Sequence, residues 1–155
     1  MEEQKDLLQD LEFEAGHQRV RWGLRLGNYI IDLIAIRGCI YFLTKLIISV
    51  NAEGYYNFFT GFNRFEFYCI NYLYSAVVIL LYYTIMEGGM KGRTIGKLIT
   101  NTQVVMYDGK PITWQAALLR SLNRLVPFEP FSAFNGYPWH DSWTHTEVVR
   151  ARRWN

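Results

Sequence analysis

Charged residues are scarce in this sequence of 155 residues: 19% are Asp, Glu, Lys or Arg, whereas 50% are hydrophobic. A chain with so little charge and so much apolar surface can bury a core, which excludes intrinsic disorder. Cysteine is scarcer still, and its two occurrences, Cys39 and Cys69, exclude a disulfide framework. The net charge of +2 is too small to indicate a nucleic-acid binder, so we expect no nucleic-acid partner. The length predicts a single domain.

Catalytic motifs are missing as well. The sequence has no nucleophile elbow, paired-carboxylate motif or CxxC, so we expect neither an enzyme nor a cofactor. Residues 92–97 resemble a phosphate-binding loop, but Lys91 and Leu98 stand where that loop needs a glycine and a hydroxyl residue. No metal site is predicted either, because typical ligand spacing is absent around His140, Asp141 and His145.

The charges that are present are unevenly distributed. The first fourteen residues hold six acidic residues and one lysine, a local net charge of −5, which leaves +7 for the rest of the chain. We interpret residues 1–18 as an acidic cytoplasmic arm, residues 19–150 as one membrane domain and residues 151–155 as a basic tail. An acidic start lacks the basic region of a secretory signal or a mitochondrial presequence.

A run of twenty residues without any charge extends from Phe67 to Met86. As a helix it is about 30 Å long, which matches the hydrocarbon thickness of a bilayer. Its tyrosines cluster toward both ends, as in the aromatic belts of membrane proteins. We therefore predict a transmembrane helix over about residues 67–87.

A second apolar segment, at about residues 25–50, contains the charged residues Asp32, Arg37 and Lys45. A charge in the middle of a membrane costs about 2.5–3.5 kcal/mol, so such a helix inserts only if its charges have partners or reach the interface. Lys45 can extend to the outer surface. Asp32 and Arg37 cannot both do so at low cost, which makes them candidates for a function.

The connector at residues 51–66 holds one basic residue, whereas the segments after the second span are rich in Lys and Arg. The positive-inside rule then places both termini in the cytoplasm. The sequence predicts an all-α, multi-pass protein of the cell (inner) membrane with two transmembrane helices.

The half of the chain after the second span is predicted to be cytoplasmic. A strand at residues 102–107 followed by the turn Asp108–Gly109 indicates a short β-hairpin, and the last apolar residues of the chain are a second candidate strand partner for Gln103–Met106. The segment from Pro127 to Trp139 holds three prolines and many aromatic residues, which predicts an interfacial loop.

A helix is predicted from Trp114 to Val126, with Thr113 as its N-cap. Leucines line one face, and Arg120 and Arg124 follow each other on another. This pattern is typical of a basic amphipathic helix on anionic lipid at the cytoplasmic face. The alternative is that the helix packs against the two spans.

The strongest constellation is Arg25 with Asp32. They are seven residues apart, so they share one face of a helix at a separation of about 10 Å along its axis. Asn28 lies between them on the same stripe. A direct ion pair is excluded at that separation unless a third group mediates it.

The sequence resembles the RDD family of bacterial integral membrane proteins. The resemblance extends from Val20 to Val149 and rests on RLGNYIID, GRTIGKLITNTQVVMYDGKPIT, ALLRSLNRLVPF and WHDSWTHTEVV. It implies that the residues that give the family its name are Arg25, Asp32 and Asp141, and it implies an ion-transport role. It also singles out a set of cytoplasmic positions: Gly92, Thr94, Gly96, Lys97, Arg120 and His140. No clean apolar helix lies between Arg124 and Trp139, so any third span is shortened here.

Two functional hypotheses follow. The first is a transport or ion/proton-exchange component that uses Asp32 and Arg25; since two helices cannot enclose a pathway, it requires a homo-oligomer or a partner membrane subunit. The alternative is a scaffold or accessory subunit in which Arg25, Asp32 and Asp141 form a structural polar lock. A membrane enzyme that uses His140 and Asp141 is a third, weaker hypothesis.

Overall fold

The computed structural model describes residues 20–126 and 138–151. In chain order, the elements within these ranges are α1 (Trp22–Val50), α2 (Ala52–Thr60), α3 (Arg64–Gly89), α4 (Ile95–Ile99), β1 (Thr102–Met106), α5 (Trp114–Asn123), α6 (Trp139–Trp143) and β2 (Thr146–Arg150). The predicted acidic arm and most of the predicted loop and basic tail lie outside these ranges.

The prediction of two long apolar helices is confirmed by α1, with 29 residues, and α3, with 26. At 1.5 Å per residue they are about 43 Å and about 39 Å long, enough to cross a bilayer. In their most apolar 18-residue windows only 6% and 11% of the residues are buried. The core helix of a soluble protein is mostly buried, so these helices turn their apolar surface outward instead.

The buried face of α1 is polar. Among its 29 residues only Asn28, Asp32 and Ile36 are buried, and they recur at intervals of four residues along one stripe. Many of the large apolar residues of the helix are exposed instead, among them Trp22, Ile34 and Tyr41. The helix therefore presents its polar groups to the rest of the chain and its apolar groups to the surroundings.

A short helix, α2, occupies the connector between the long helices, where the sequence predicted none. Asn51 begins it by accepting a hydrogen bond from the backbone N–H of Gly54 at 2.8 Å. Asn63 and Glu66 then form a capping box at the start of α3, with both hydrogen bonds at 3.0 Å. These caps fix where the two helices begin.

The remaining described residues, 92–126 and 138–151, form a compact unit that we call the cap. Its two-stranded antiparallel sheet pairs β1 with β2 in the register Val104↔Val148. The apolar side of the sheet packs on α5 in a small core of buried residues: Val20, Val104, Ile112, Ala116, Ala117 and Val148.

The predicted β-hairpin is only partly present. The turn forms, with the N–H of Gly109 donating to the carbonyl of Met106 at 2.8 Å. The returning segment, however, makes a single isolated bridge, Val105 with Pro111, and β1 pairs along its length with the distant β2. Proline has no N–H to continue a ladder, which explains why the returning segment ends there.

Two glycines of the segment after α3 are required by close contacts. Gly92 has a φ of +85°, and a Cβ at this position would collide with the backbone of Val104. A Cβ at Gly96 would collide with the backbone oxygen of Asn28. Gly96 thus allows α4 to lie directly against α1.

We expect Gly96→Ala to lower the free energy of unfolding by about 1–3 kcal/mol, because the added methyl group forces α4 away from α1. Gly38→Ala is the matched control, since a Cβ at Gly38 meets nothing within 4 Å. Denaturant unfolding in detergent micelles compares the two variants, and equal stabilities would contradict the close packing.

Candidate functional site

Asp32 attaches the cap to α1. Its buried carboxylate accepts hydrogen bonds from the hydroxyl of Tyr82 at 2.8 Å, the hydroxyl of Thr94 at 2.7 Å and the N–H of Gly96 at 2.8 Å. All three donors are neutral, and two of them belong to the cap. Within the described ranges Asp32 forms no ion pair, and Arg25 is not among its partners. The two residues therefore belong to different parts of the site, although they lie on one face of α1.

Asn28 makes a second attachment, one turn before Asp32. Its side-chain amide forms hydrogen bonds with the hydroxyls of Thr100 and Thr102, which also contact each other at 3.0 Å. Thr102 is fully buried, so its hydroxyl needs these partners. Together, Asn28 and Asp32 hold the segment from α4 to β1 against the long helix.

Glu87, near the end of α3, is the centre of a cluster of cations. It is 0% exposed, and its carboxylate lies 2.6 Å from Nζ of Lys97, 2.9 Å from Nε of Arg120 and 3.3 Å from Nη2 of Arg124. Arg124 also lies over the ring of Tyr83, with 4.3 Å to its centroid. Burial lowers the pKa of Lys97, and the carboxylate of Glu87 opposes that shift.

Asp141 continues the chain of charges from α5 to α1. One oxygen lies 2.6 Å from Nη1 of Arg120, and the other lies 2.6 Å from Nη1 of Arg25. Nη1 of Arg120 also donates to the hydroxyl of Thr146 in β2. This carboxylate thus connects three helices that are far apart in sequence.

These charges form one continuous set that we call the ion-pair network. It consists of two carboxylates, Glu87 and Asp141, and four cations, Arg25, Lys97, Arg120 and Arg124. The network joins α1, α3, α4, α5 and α6. Removal of one partner from such a buried set leaves an uncompensated charge, which is far more costly than loss of a surface pair.

Helix α5 positions Arg120 because its buried face is polar and its outer face is apolar. Arg120, Ala117 and Ser121 are fully buried, whereas four large apolar residues are 42% to 57% exposed: Trp114, Leu118, Leu119 and Leu122. Of the two orientations considered from the sequence, packing against the spans is therefore the one observed for Arg120. The helix is one turn shorter than predicted and ends at Asn123.

His140 lies beside the network without adding charge to it. Its Nε2 is 3.4 Å from a carboxylate oxygen of Asp141. Burial and the cations Arg124 and Arg120 hold the pKa of His140 well below its ordinary value of 6.5. It is therefore neutral at pH 7, and its contact with Asp141 is not an ion pair.

Some residues singled out from the sequence lie elsewhere. Arg37 is exposed on the opposite side of α1 and does not join the network. In the segment that resembles a phosphate loop, the hydroxyl of Thr94 donates a hydrogen bond to Asp32, and the ammonium of Lys97 donates one to Glu87. Over residues 20–126 and 138–151, no group of three His, Cys, Asp or Glu side chains is placed to bind a metal ion.

Sequence reasoning missed Glu87, Tyr82 and Thr102. Glu87 did give a signal, because it is the first charge after the charge-free run and the membrane end of a helix is a costly place for a carboxylate. Tyr82 and Thr102 gave none, since hydroxyl residues are common in both positions. Their roles depend on partners 50 and 74 residues away in the chain.

A model of the RDD family matches residues 19–139. The chain belongs to the RDD family. This family is membrane-associated, and with the two apolar helices it identifies the chain as a membrane protein with two candidate spans, α1 and α3. The match to the RDD model includes Arg25 and Asp32 and ends two residues before Asp141. Comparisons with curated proteins and with solved structures found no match.

We expect the RDD protein to lose stability as the pH falls below about 6.5, because His140 binds a proton more readily in the unfolded chain than in the folded one. The transition temperature in nanodiscs, measured between pH 7.5 and pH 5.5, should decrease less in His140→Gln than in the wild type. His145→Gln is the control, since His145 is exposed. Identical pH profiles for wild type and His140→Gln would refute this assignment.

Proposed function

We propose that this RDD protein is a non-catalytic membrane scaffold or accessory subunit, in which the ion-pair network fastens the cap to the two spans. The observation that carries the proposal is the position of Asp141 between Arg25 and Arg120, at 2.6 Å from each. A single carboxylate there joins the first span to the last described helices. Both carboxylate oxygens of Asp141 are paired with cations, which supports a structural link between these helices.

Burial of the network supports the same role. The side chains of Glu87, Arg120 and Asp141 are at most 4% exposed, and each carboxylate oxygen of the two acids has a cationic partner. A group that exchanges ions with solvent needs access to water, whereas a structural pair is most effective without it. Because the carboxylates are buried and all of their oxygens are paired, the arrangement favours a structural role.

The proposed membrane orientation keeps both termini in the cytoplasm, so that the cap lies at the cytoplasmic face of the inner membrane. The apolar outer face of α5 then contacts acyl chains. Lys110 and Arg150 on the cap, and Lys91 directly before it, are exposed and are available to anionic lipid headgroups. Arg120 is not available to them, because it is fully buried.

A second candidate function, ion or proton exchange, is favoured by one observation at Asp32. Its carboxylate lies on a candidate span and has only neutral hydrogen-bond donors among the residues described. Intramembrane carboxylates are costly and commonly mark ion pathways. Because two helices cannot enclose a pathway, this function requires an oligomer or a partner subunit.

The scaffold proposal predicts that Asp141→Asn lowers the free energy of unfolding by about 3–5 kcal/mol, since it removes the carboxylate of Arg25 and leaves Arg120 with Glu87 as its one remaining carboxylate in the network. Thermal unfolding in nanodiscs measures the loss. Asp108→Asn is the matched control, because the Asp108–Lys110 pair is exposed and its loss should leave stability almost unchanged. If the two variants are equally stable, the ion-pair network does not hold the cap to the spans.

Asp32→Asn separates the two candidate functions. We expect the wild-type protein in proteoliposomes to give no more Na⁺- or K⁺-driven change of internal pH than protein-free vesicles do. Exchange that is present in the wild type and lost in a folded Asp32→Asn protein would instead establish the second candidate and reject the scaffold proposal.

A further inference from the structure

Arg37 is a charged residue of α1 that belongs neither to the ion-pair network nor to the contacts of Asp32. It lies five residues after Asp32, about 140° around the helix, on the exposed side of α1. Its guanidinium makes no hydrogen bond or ion pair with any residue of the described ranges. A charge of this kind in a candidate span needs a partner, and residues 20–126 and 138–151 do not provide one.

Arg37 lies near the middle of α1. It follows Trp22 by fifteen residues and precedes Val50 by thirteen, so each end of α1 is about 20 Å away. Lys45, nearer the end of the helix, has an alternative, because its ammonium lies over the ring of Tyr41 at 5.7 Å from the centroid. No aromatic ring lies under the guanidinium of Arg37 among the described residues.

The surface around Arg37 suits another helix. One stripe of α1, its outer face, consists of Gly23, Gly27, Ile30, Ile34, Arg37 and Tyr41. Ile34 and Tyr41 are 68% and 67% exposed, and a Cβ at Gly23 or Gly27 would meet nothing within 4 Å. Small residues at such a face allow two helices in a membrane to approach closely. The two glycines allow a second helix to approach, and the positive charge of Arg37 requires an acidic side chain on that helix.

A second copy of this chain does not satisfy Arg37. Two parallel copies that met through the outer face would bring the two arginines together, because a two-fold axis pairs a face with itself. The carboxylates of the candidate spans are also engaged: Asp32 by three donors, Glu87 by three cations and Glu66 by its capping box. Since no carboxylate of the described spans remains for Arg37, we assign the required carboxylate to another protein.

We propose that the outer face of α1 binds a transmembrane helix of a different protein that carries an Asp or Glu at the depth of Arg37. This inference rests on the proposed role as a scaffold or accessory subunit and names the chemistry of its partner. The ion pair between Arg37 and the acidic residue of the partner would form in the membrane, where it compensates the otherwise unfavourable charge of the arginine. The glycines would bring the two backbones close enough for the side chains to meet.

The test uses leucine-rich transmembrane peptides that differ at one central position, which is Glu, Gln or Leu. Full-length protein labelled with a donor dye and peptide labelled with an acceptor are reconstituted in phosphatidylcholine vesicles, and energy transfer measures their association. We expect the Glu peptide to bind the wild-type protein roughly tenfold more tightly than the Leu peptide. The preference should disappear in Arg37→Met and persist in the control Lys45→Met.

Three results would overturn the proposal: equal binding of the Glu and Leu peptides to the wild type, a Glu preference that survives Arg37→Met, or self-association that depends on Arg37. Arg37→Gln replaces Arg37→Met if the latter fails to fold. Stability of Asp141→Asn is measured separately, so a failure of the ion-pair network as a fastening is distinguishable from a failure of this interface.

Discussion

The structure depends on one electrostatic constraint: a carboxylate removed from water must be given cations. Glu87 is fully buried at the end of a candidate span, and three cations surround it. Supplying them requires α4 and α5 to pack against that end, and Arg120 then carries the same requirement to Asp141 and Arg25. Compensation of these two acidic residues therefore links α4, α5 and α6 to the long helices, in addition to the hydrogen bonds of Asp32 and Asn28.

The same constraint reverses the usual distribution of side chains. In α1 the buried stripe is Asn28, Asp32 and Ile36, and in α5 it includes Arg120 and Ser121, while leucines and aromatic residues face outward. A soluble protein gains stability when apolar surface leaves water. A chain surrounded by lipid gains little from that, so polar pairing and close backbone contacts such as the one at Gly96 hold it together.

How far the sequence predicts this molecule depends on the range of each interaction. The two long helices are predictable because a charge-free run is a local signal, and Thr113 as a cap is predictable for the same reason. Asp32 was found because a charge in an apolar helix is costly, and Arg25 because it shares a helix face with Asp32. Asp141 was indicated by the resemblance to the RDD family. Their partners were not, because no local pattern states that Arg25 meets Asp141 at a distance of 116 residues or that Asp32 meets Thr94. The pairing of β1 with β2 was one of two alternatives that the sequence offered for Gln103–Met106, because the apolar residues near its end form a second strand pattern.

The separation of Arg25 from its partner has a consequence for biogenesis. Arg25 lies in the first helix of the described chain and Asp141 in the last, so the ribosome has completed most of the protein before the two can meet. Because a lone guanidinium in the membrane interior is costly, we expect Arg25 to stay near water or headgroups during that time. We therefore expect the Arg25–Asp141 pair to form late in synthesis, and a chain that ends before Asp141 to lack the carboxylate that joins Arg25 to Arg120.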